Sequence, residues 1–505
     1  MRLDVPYLAA LDLEKSAQYV IKTPLDHFPC LILDRCLENA TATIASHMSA
    51  ALSAGMVIAS EILTMPRAGF GPRPVLVTGT LERTLYRSLM QAIAKDLPPQ
   101  SRGAGKYDAL KSFGLDGSSE YIVEIDIAAC YEYIGHSILC DEVMLRSMDF
   151  NTADALMSFL GEVSKQSRGL PQMQDTSDRL ADVYLSILDR KLGRHGYSVR
   201  RYADDIRATA SDWLTANEVI EHAAEYAREL GLILSAHKTR IYRRQTLIDQ
   251  QQSEANFFNG YIWRAKETLT RVFFAAPPPY SNQDPEEIAV EPEDKDTAQR
   301  AYWDLLSDWG RGQREGSEAE IEGFTSISIP LILSGLQSYQ KRISDRRLED
   351  IVFRHPRYLE AVSNYIVARA KAGLDERHWS SVARLIVMAR QSPWAKLWLL
   401  DTIERVSPNI SEAPRRVREW VAQQLDDRHE TVRAQATWVR AVLGELTAGE
   451  VGEIYRAASG MTKPAIAAAS TLQQGLDNSI VRAIEGDSPL NREAVKWASA
   501  LIPKT

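Results

Sequence analysis

The 505-residue sequence predicts an α+β unit followed by an all-α, HEAT-like helical domain. Three observations predict this. Short β-like runs alternate with helical periods only in the first 275 residues. A proline cluster, Pro277-Pro-Pro279 with Pro285 and Pro292, then interrupts the chain within an acidic stretch. Beyond residue 297 helical patterns follow one another almost without strands.

Taken in order, Val75–Val77, Tyr121–Ile127 and Tyr197–Tyr202 read as strands, being rich in β-branched and aromatic residues. Helical stretches lie between them at Thr84–Lys95, Asp175–Leu192 and Ala216–Leu230. Ala276–Asp296 reads as a stiff, solvated linker, because consecutive prolines are followed by like charges. After it, helices are expected at Tyr358–Lys371, Trp379–Arg390, Trp394–Val406, Arg415–Leu425, Thr431–Leu446 and Ala448–Ala458. Pairs of such helices fit a HEAT-like unit of about 40 residues, with an irregular bundle as the alternative. Trp303, Trp309, Trp420 and Trp438 fall at helical spacing and read as core. The expected domains are thus 1–275, a linker at 276–296, and 297–505.

Composition bounds the function. Hydrophobic residues at 45% and charged residues at 25% are those of a globular chain. The net charge of −8 excludes a basic coat for nucleic acid. Residues 1–275 carry 30 basic and 34 acidic residues and the remainder 29 and 33, so each part stands at −4. Any polyanion must be met by a local cluster, for which Arg190, Lys191, Arg194, Arg200 and Arg201 are candidates. Four cysteines make no disulfide framework and no zinc spacing. Neither a leader nor a membrane span is apparent, and a cytoplasmic protein without membrane contact is expected.

The chemistry rests on carboxylates. Asp204 and Asp205 follow a β-like run, where a hairpin turn exposes them. Asp126 ends the apolar strand Tyr121–Ile127, an unusual place for an acid. Alone, it reads as a strand-end cap or half of an ion pair. Together the three acids point to a divalent metal, since Mg²⁺ takes hard oxygen ligands and is often held by one or two carboxylates plus substrate phosphates.

At these residues the chain resembles the bacterial reverse transcriptases. Asp126-Ile-Ala-Ala-Cys-Tyr131 is similar to their motif A, and Arg168-Gly169-Leu-Pro171-Gln172 with Ser177 to motif B. Arg201-Tyr-Ala-Asp204-Asp205 resembles motif C, Leu230–Thr239 motif D, and Phe257-Phe-Asn-Gly260-Tyr261 the primer-grip motif E. Pro66–Val75 resembles the fingers segment, so the likeness runs over about residues 60–270. It implies a right-hand polymerase with fingers and an antiparallel palm, whose thumb the helical domain replaces.

By this resemblance Asp126, Asp204, Asp205 and the backbone of Ile127 hold two Mg²⁺ ions, with Mn²⁺ as the alternative. Ile127 also faces the triphosphate through its amide. Tyr131 occupies the sugar-gate position, where a ring excludes a ribose 2′-hydroxyl. Gly169, Pro171, Gln172 and Ser177 shape the floor under the nucleotide. Lys238 is the candidate general acid for pyrophosphate, and Arg73 the candidate triphosphate contact. Met173 departs from the family, which usually has glycine there. It either narrows the template path or is neutral packing.

A palm followed by a long helical segment resembles the abortive-infection and defence-associated group. That implies antiphage DNA synthesis from deoxynucleotides by a homo-oligomer, trimer or hexamer, either untemplated and protein-primed or copying a dedicated non-coding RNA. The alternatives are a retron-like or mobile-element enzyme copying RNA, and an inactive RNA-binding scaffold.

Overall fold

The computed structural model describes residues 1–67, 71–275, 286–315, 328–406, 412–473 and 478–502. Two compact units emerge from the contacts. One comprises Met1–Leu247, Arg390–Glu404 and Ile410–Thr505, the other Ile248–Ala389 and Arg405–Asn409. This division differs from the expected one at 276–296, because the C-terminal helices group with the strands of the first unit.

The first unit opens with helices α1 (Val5–Ala10), α2 (Leu13–Lys22), α3 (Ile32–Arg35) and α4 (Thr41–Ala54). An antiparallel hairpin, β1 (Ser60–Pro66) and β2 (Pro72–Thr78), leads into α5 (Thr80–Ile93) and α6 (Lys106–Lys111). Then come β3 (Tyr121–Asp126), α7 (Cys130–Tyr133), α8 (His136–Ser147), α9 (Phe150–Ser164) and α10 (Asp175–Arg194). β4 (Ser198–Tyr202), β5 (Asp205–Ala210), α11 (Trp213–Glu229) and β6 (Arg240–Arg243) follow. The four later strands form one antiparallel sheet in the order β4-β5-β3-β6.

β3 lies between two neighbours and its Ile122, Val123 and Ile125 are buried, which explains why its apolar run scarcely alternates. α11 turns a row of small residues inward, with Ala216, Ala223 and Ala227 fully buried beside Val219. That row lets the helix lie close against β3 and β5. Asp212 starts α11 by accepting the Thr215 amide at 2.8 Å, an ordinary N-cap.

The C-terminal helices Arg415–Gln423, Glu430–Val442, Ala448–Ala457, Lys463–Thr471 and Pro489–Leu501 belong to this same unit for identifiable reasons. Arg35 forks onto Glu404 at 2.7 and 2.8 Å, and the Trp438 indole donates to the same carboxylate at 2.8 Å. The Trp394 and Trp398 indoles both donate to the His27 carbonyl, and Trp497 donates to Glu38 at 2.7 Å. Gln435 accepts the buried Ile32 amide at 2.9 Å. Glu61 of β1 accepts the Glu430 and Thr431 amides, so a carboxylate of the first hairpin caps helix Glu430–Val442.

In the second unit, α12 (Arg244–Leu269) runs into β7 (Arg271–Ala275), which pairs antiparallel with β8 (Glu286–Val290). The acidic stretch expected as a solvated linker therefore begins with a strand. Its Ile288-Ala-Val290 gives Arg271-Val-Phe-Phe-Ala275, itself β-branched and aromatic, a sequence able to pair with it. Residues 276–285, with the triple proline and Tyr280, lie outside the described residues. Helices α13 (Asp294–Glu315), Asp345–Arg354, Leu359–Lys371 and His378–Leu385 make up most of the remainder. Trp309, Trp420 and Trp438 are buried, as their spacing implied, whereas Trp303 is only partly buried. Among the described residues no helix is long and apolar enough to cross a membrane.

Candidate active site

The three acids meet at one end of the sheet. β3 and β5 run antiparallel in a register that sets Asp126 opposite Asp205. β4 and β5 pair Tyr202 with Asp205, leaving Ala203 and Asp204 as a two-residue turn with Ala203 in the left-handed region (φ 55°). Asp204 therefore stands at the hairpin tip, next to Asp205 and across from the strand that ends in Asp126.

The chain beyond β3 brings in the lysine. The Ala128 amide donates to the Ile233 carbonyl at 2.8 Å and the Ser235 amide to the Asp126 carbonyl at 2.7 Å. Ile127 and Leu234 thus form a non-hydrogen-bonded antiparallel pair, with Ile127's own amide and carbonyl turned away from that segment. A turn closed by the Lys238 and Thr239 amides on the Ser235 carbonyl then carries the Lys238 ammonium to 2.7 Å from Asp126 Oδ1.

The electrostatics are those of crowded negative charge. Burial pushes Asp205 up to about 6, with the charges of Asp204 and Asp126 adding to the effect and Lys238 opposing it. Burial works to lower the Lys238 ammonium, but its bond to Asp126 and the charges of the three acids outweigh that and raise it. Among the described residues no three acidic, His or Cys side chains are arranged as a ready metal cage. Even so, two carboxylates in register and a third at the tip are hard oxygen donors carrying uncompensated charge. That set fits Mg²⁺, which keeps several of its ligands for water and substrate.

Contacts from α10 and from the Ser101-Arg102 loop, illegible in the sequence, fix this end of the sheet. Arg201 is buried between Asp182 (2.7 Å) and Asp189 (2.9 Å) and also donates to the Ala203 carbonyl at 2.9 Å. Ser101 Oγ accepts the Ala203 amide at 3.0 Å and donates to Asp182 at 2.5 Å. Both sides of the tip residue are therefore tied to α10. Next to Ser101, Arg102 donates to the Tyr131 hydroxyl at 2.9 Å and pairs with Asp178 at 3.2 Å, and Tyr131 donates to Asp178 at 2.5 Å. Burial and the Asp178 charge hold the Tyr131 phenol well above its usual range, so it remains a donor.

Residues 72–262 match the family model for reverse transcriptase (RNA-dependent DNA polymerase). This segment is a reverse transcriptase domain. The chain is 26% identical over 193 residues to the retron Mx65 reverse transcriptase of Myxococcus xanthus. The match takes in 37% of this chain and 41% of that protein, so the chain spans less than half of its relative's length. Among solved structures it is similar to a telomerase from Candida tropicalis in complex with a fragment of telomeric RNA. That likeness has 11% identity and a TM-score of 0.30, covering 72% of this chain and 63% of the other. It is also similar to an RdRp complex, with 10% identity and a TM-score of 0.31 over 99% and 49%.

Within the reverse transcriptase domain Gly169 lies beside Tyr131, and the other expected floor residues are held by separate contacts. Gly169 has φ 94°, a conformation that requires glycine. Its amide donates to the Ile134 carbonyl at 2.9 Å, while Leu170 donates to the Tyr131 carbonyl at 2.8 Å. Gln172 donates to the Pro74 carbonyl at 3.4 Å, which brings it beside Arg73 on β2. Burial and Arg67 lower the Arg73 pKa, opposed by the charges of Asp204, Glu132 and Tyr131. Pro171 is buried. Ser177 is fully buried with its hydroxyl 2.9 Å from that of Tyr86, so it braces α10 on α5 from beneath the floor. Met173 takes φ 63°, which gives a physical reason for glycine at this position in the family.

The structure adds partners and placement to two of these readings. Three of the five cations of the basic cluster are matched by acids, Arg190 with Glu142, Lys191 with Glu229, and Arg201 with Asp182 and Asp189. Spacing revealed the cations but not their partners, which come from α8, α10 and α11. Phe257–Tyr261, the segment resembling the primer grip, lies within the long helix α12 and falls in the second unit.

Proposed function

We propose that the chain is a DNA polymerase of the reverse transcriptase type, adding deoxynucleotides by two-metal nucleotidyl transfer in antiphage defence. The observation that carries the chemistry is the register of Asp126 against Asp205, with Asp204 at the tip and Lys238 reaching in. Asp126, Asp204, Asp205 and the Ile127 backbone would hold the two ions. Bound Mg²⁺ makes the 3′-hydroxyl a better nucleophile and offsets charge on the phosphates.

The chain's own residues do the rest. Lys238 is tied to Asp126 and stays protonated, so it brings a proton to the place where pyrophosphate leaves. Arg73, on a strand whose next carbonyl is held by Gln172, presents a guanidinium to the triphosphate. The Tyr131 ring excludes a 2′-hydroxyl. Ser101, Asp182 and Arg201 hold the tip carrying Asp204 through the Ala203 backbone, which limits the motion needed to reach reactive geometry.

The defence role is supported by the long helical segment after the domain, as in the abortive-infection group. In this reading the enzyme works in the cytoplasm as a homo-oligomer, trimer or hexamer. Its synthesis is untemplated and protein-primed, or copies a dedicated non-coding RNA. A HEAT-like helical segment encloses the product. The 26% identity with a retron reverse transcriptase favours a second reading, a conventional RNA-copying enzyme.

Purified protein with Mg²⁺ and each labelled deoxynucleotide, its products treated with RNase, DNase and protease, separates the two. Protease-sensitive product formed without added template supports the first. Strict dependence on one co-purified RNA supports copying. No incorporation under any of these conditions contradicts both.

A further inference from the structure

We propose that Arg102 and Asp178 are positioning residues that clamp Tyr131 by its hydroxyl, so that sugar selection depends on that hydroxyl as well as on ring size. The inference deepens the reading of Tyr131 as the sugar gate and rests on it.

A steric gate works only if its ring stays put. Tyr131 sits in α7, a helix of four residues entered through Ala129 in the left-handed region (φ 50°), which gives the ring little support of its own. Its hold comes from elsewhere. The hydroxyl donates to Asp178 Oδ1 at 2.5 Å and accepts from Arg102 Nη2 at 2.9 Å, while Arg102 Nη1 lies 3.2 Å from Asp178 Oδ2. Two charge-assisted hydrogen bonds, a stronger kind than neutral ones, and one ion pair close the three groups into a ring. Asp178 is carried by α10, a helix of 20 residues, and so is anchored far better than Tyr131 itself.

The clamp is also joined to the catalytic tip. Ser101, the residue before Arg102, accepts the Ala203 amide and donates to Asp182, one helical turn beyond Asp178. One dipeptide, Ser101-Arg102, therefore holds both the gate and the turn that carries Asp204. A gate made by ring size alone would work equally well with phenylalanine. Here phenylalanine removes the donor and acceptor that the clamp engages.

The test is the preference for dTTP over UTP, as a ratio of kcat/KM, in variants of the full chain. Tyr131→Ala is expected to lower it most. Tyr131→Phe and Asp178→Ala should each lower it about tenfold, Asp178→Asn, which keeps an acceptor, by less than about threefold, and the Phe/Ala double variant no further than the singles. The loss must appear as an absolute gain in kcat/KM for UTP, since general damage to the fold lowers both substrates together. If the protein incorporates neither nucleotide, the same ratio is read from their dissociation constants. Wild-type preference in Tyr131→Phe, which removes a single atom, together with relaxed preference in Tyr131→Ala, overturns the clamp and leaves the gate standing. Unaltered preference in Tyr131→Ala removes the gate, and the clamp with it.

Discussion

Two regions of the first unit handle charge in opposite ways. Where the C-terminal helices join the N-terminal ones, every named charge has a partner. Arg35 is matched to Glu404, the same carboxylate takes the Trp438 indole, and Glu61 meets the amides of a helix end. At the sheet end, three carboxylates share one lysine, and burial, with the charges of Asp204 and Asp126 added, pushes Asp205 up to about 6. Paired charges hold the fold together, whereas crowded ones of one sign cost stability and persist where something cationic is to be bound. The contrast therefore separates a structural joint from a reaction site by energetics alone.

The largest effect is expected at the crowded end. Asp126→Asn removes the carboxylate that faces Asp205 and holds Lys238. Deoxynucleotide incorporation should fall by about 10³ or more, on the scale of losing a charge-stabilising group in an active site. A smaller loss would remove Asp126 from the chemistry. At the joint, Arg35→Ala leaves Glu404 largely buried without its cation and should cost about 3 kcal/mol of folding stability in chemical denaturation. Incorporation per folded molecule should stay as it is. An unchanged unfolding midpoint would mean that this pair contributes nothing to docking.

The smallest effect concerns a buried acid that is not crowded. Glu82, near the start of α5, is pushed up to about 6 mainly by burial, with the Ala59 amide opposing the shift. Its folded pKa lies above the unfolded one, so its stabilising contribution is full below about pH 4.5 and is lost as pH rises through about 6. Glu82→Gln should therefore stabilise the protein by at most about 2 kcal/mol at pH 8 and do little at pH 4. Equal unfolding midpoints at pH 8 would contradict this.

Much of the site was legible because its residues are local in the sequence. The Tyr121–Ile127 run announced a strand ending in an acid, and Tyr202–Asp205 announced a turn with two more. Gly169 was legible as glycine, though its left-handed φ appears only in three dimensions. What could not be read were partners brought from far along the chain. Arg102 meets Tyr131 and Asp178, and Ser101 meets Ala203, across separations no periodicity encodes. One signal was present: Asp178 and Asp182, a turn apart on a helix whose Leu180, Val183 and Tyr184 are buried, need cationic partners. The division by contacts departs from the expected boundary for the same reason. Prolines and acids at 276–296 looked like a linker, but single side chains such as Arg35, Trp394 and Trp497 bind the C-terminal helices into the first unit. The acidic segment also found a strand partner in Arg271–Ala275.

The central claim is that the sheet end gives up stability in order to bind cations and carry out nucleotide addition. Asp205→Asn tests it most directly when deoxynucleotide incorporation and thermal unfolding are measured on the same preparation. The predicted result is loss of incorporation together with a higher melting temperature, because one of three mutually repelling charges is gone. Retained incorporation, or a lower melting temperature, would contradict it.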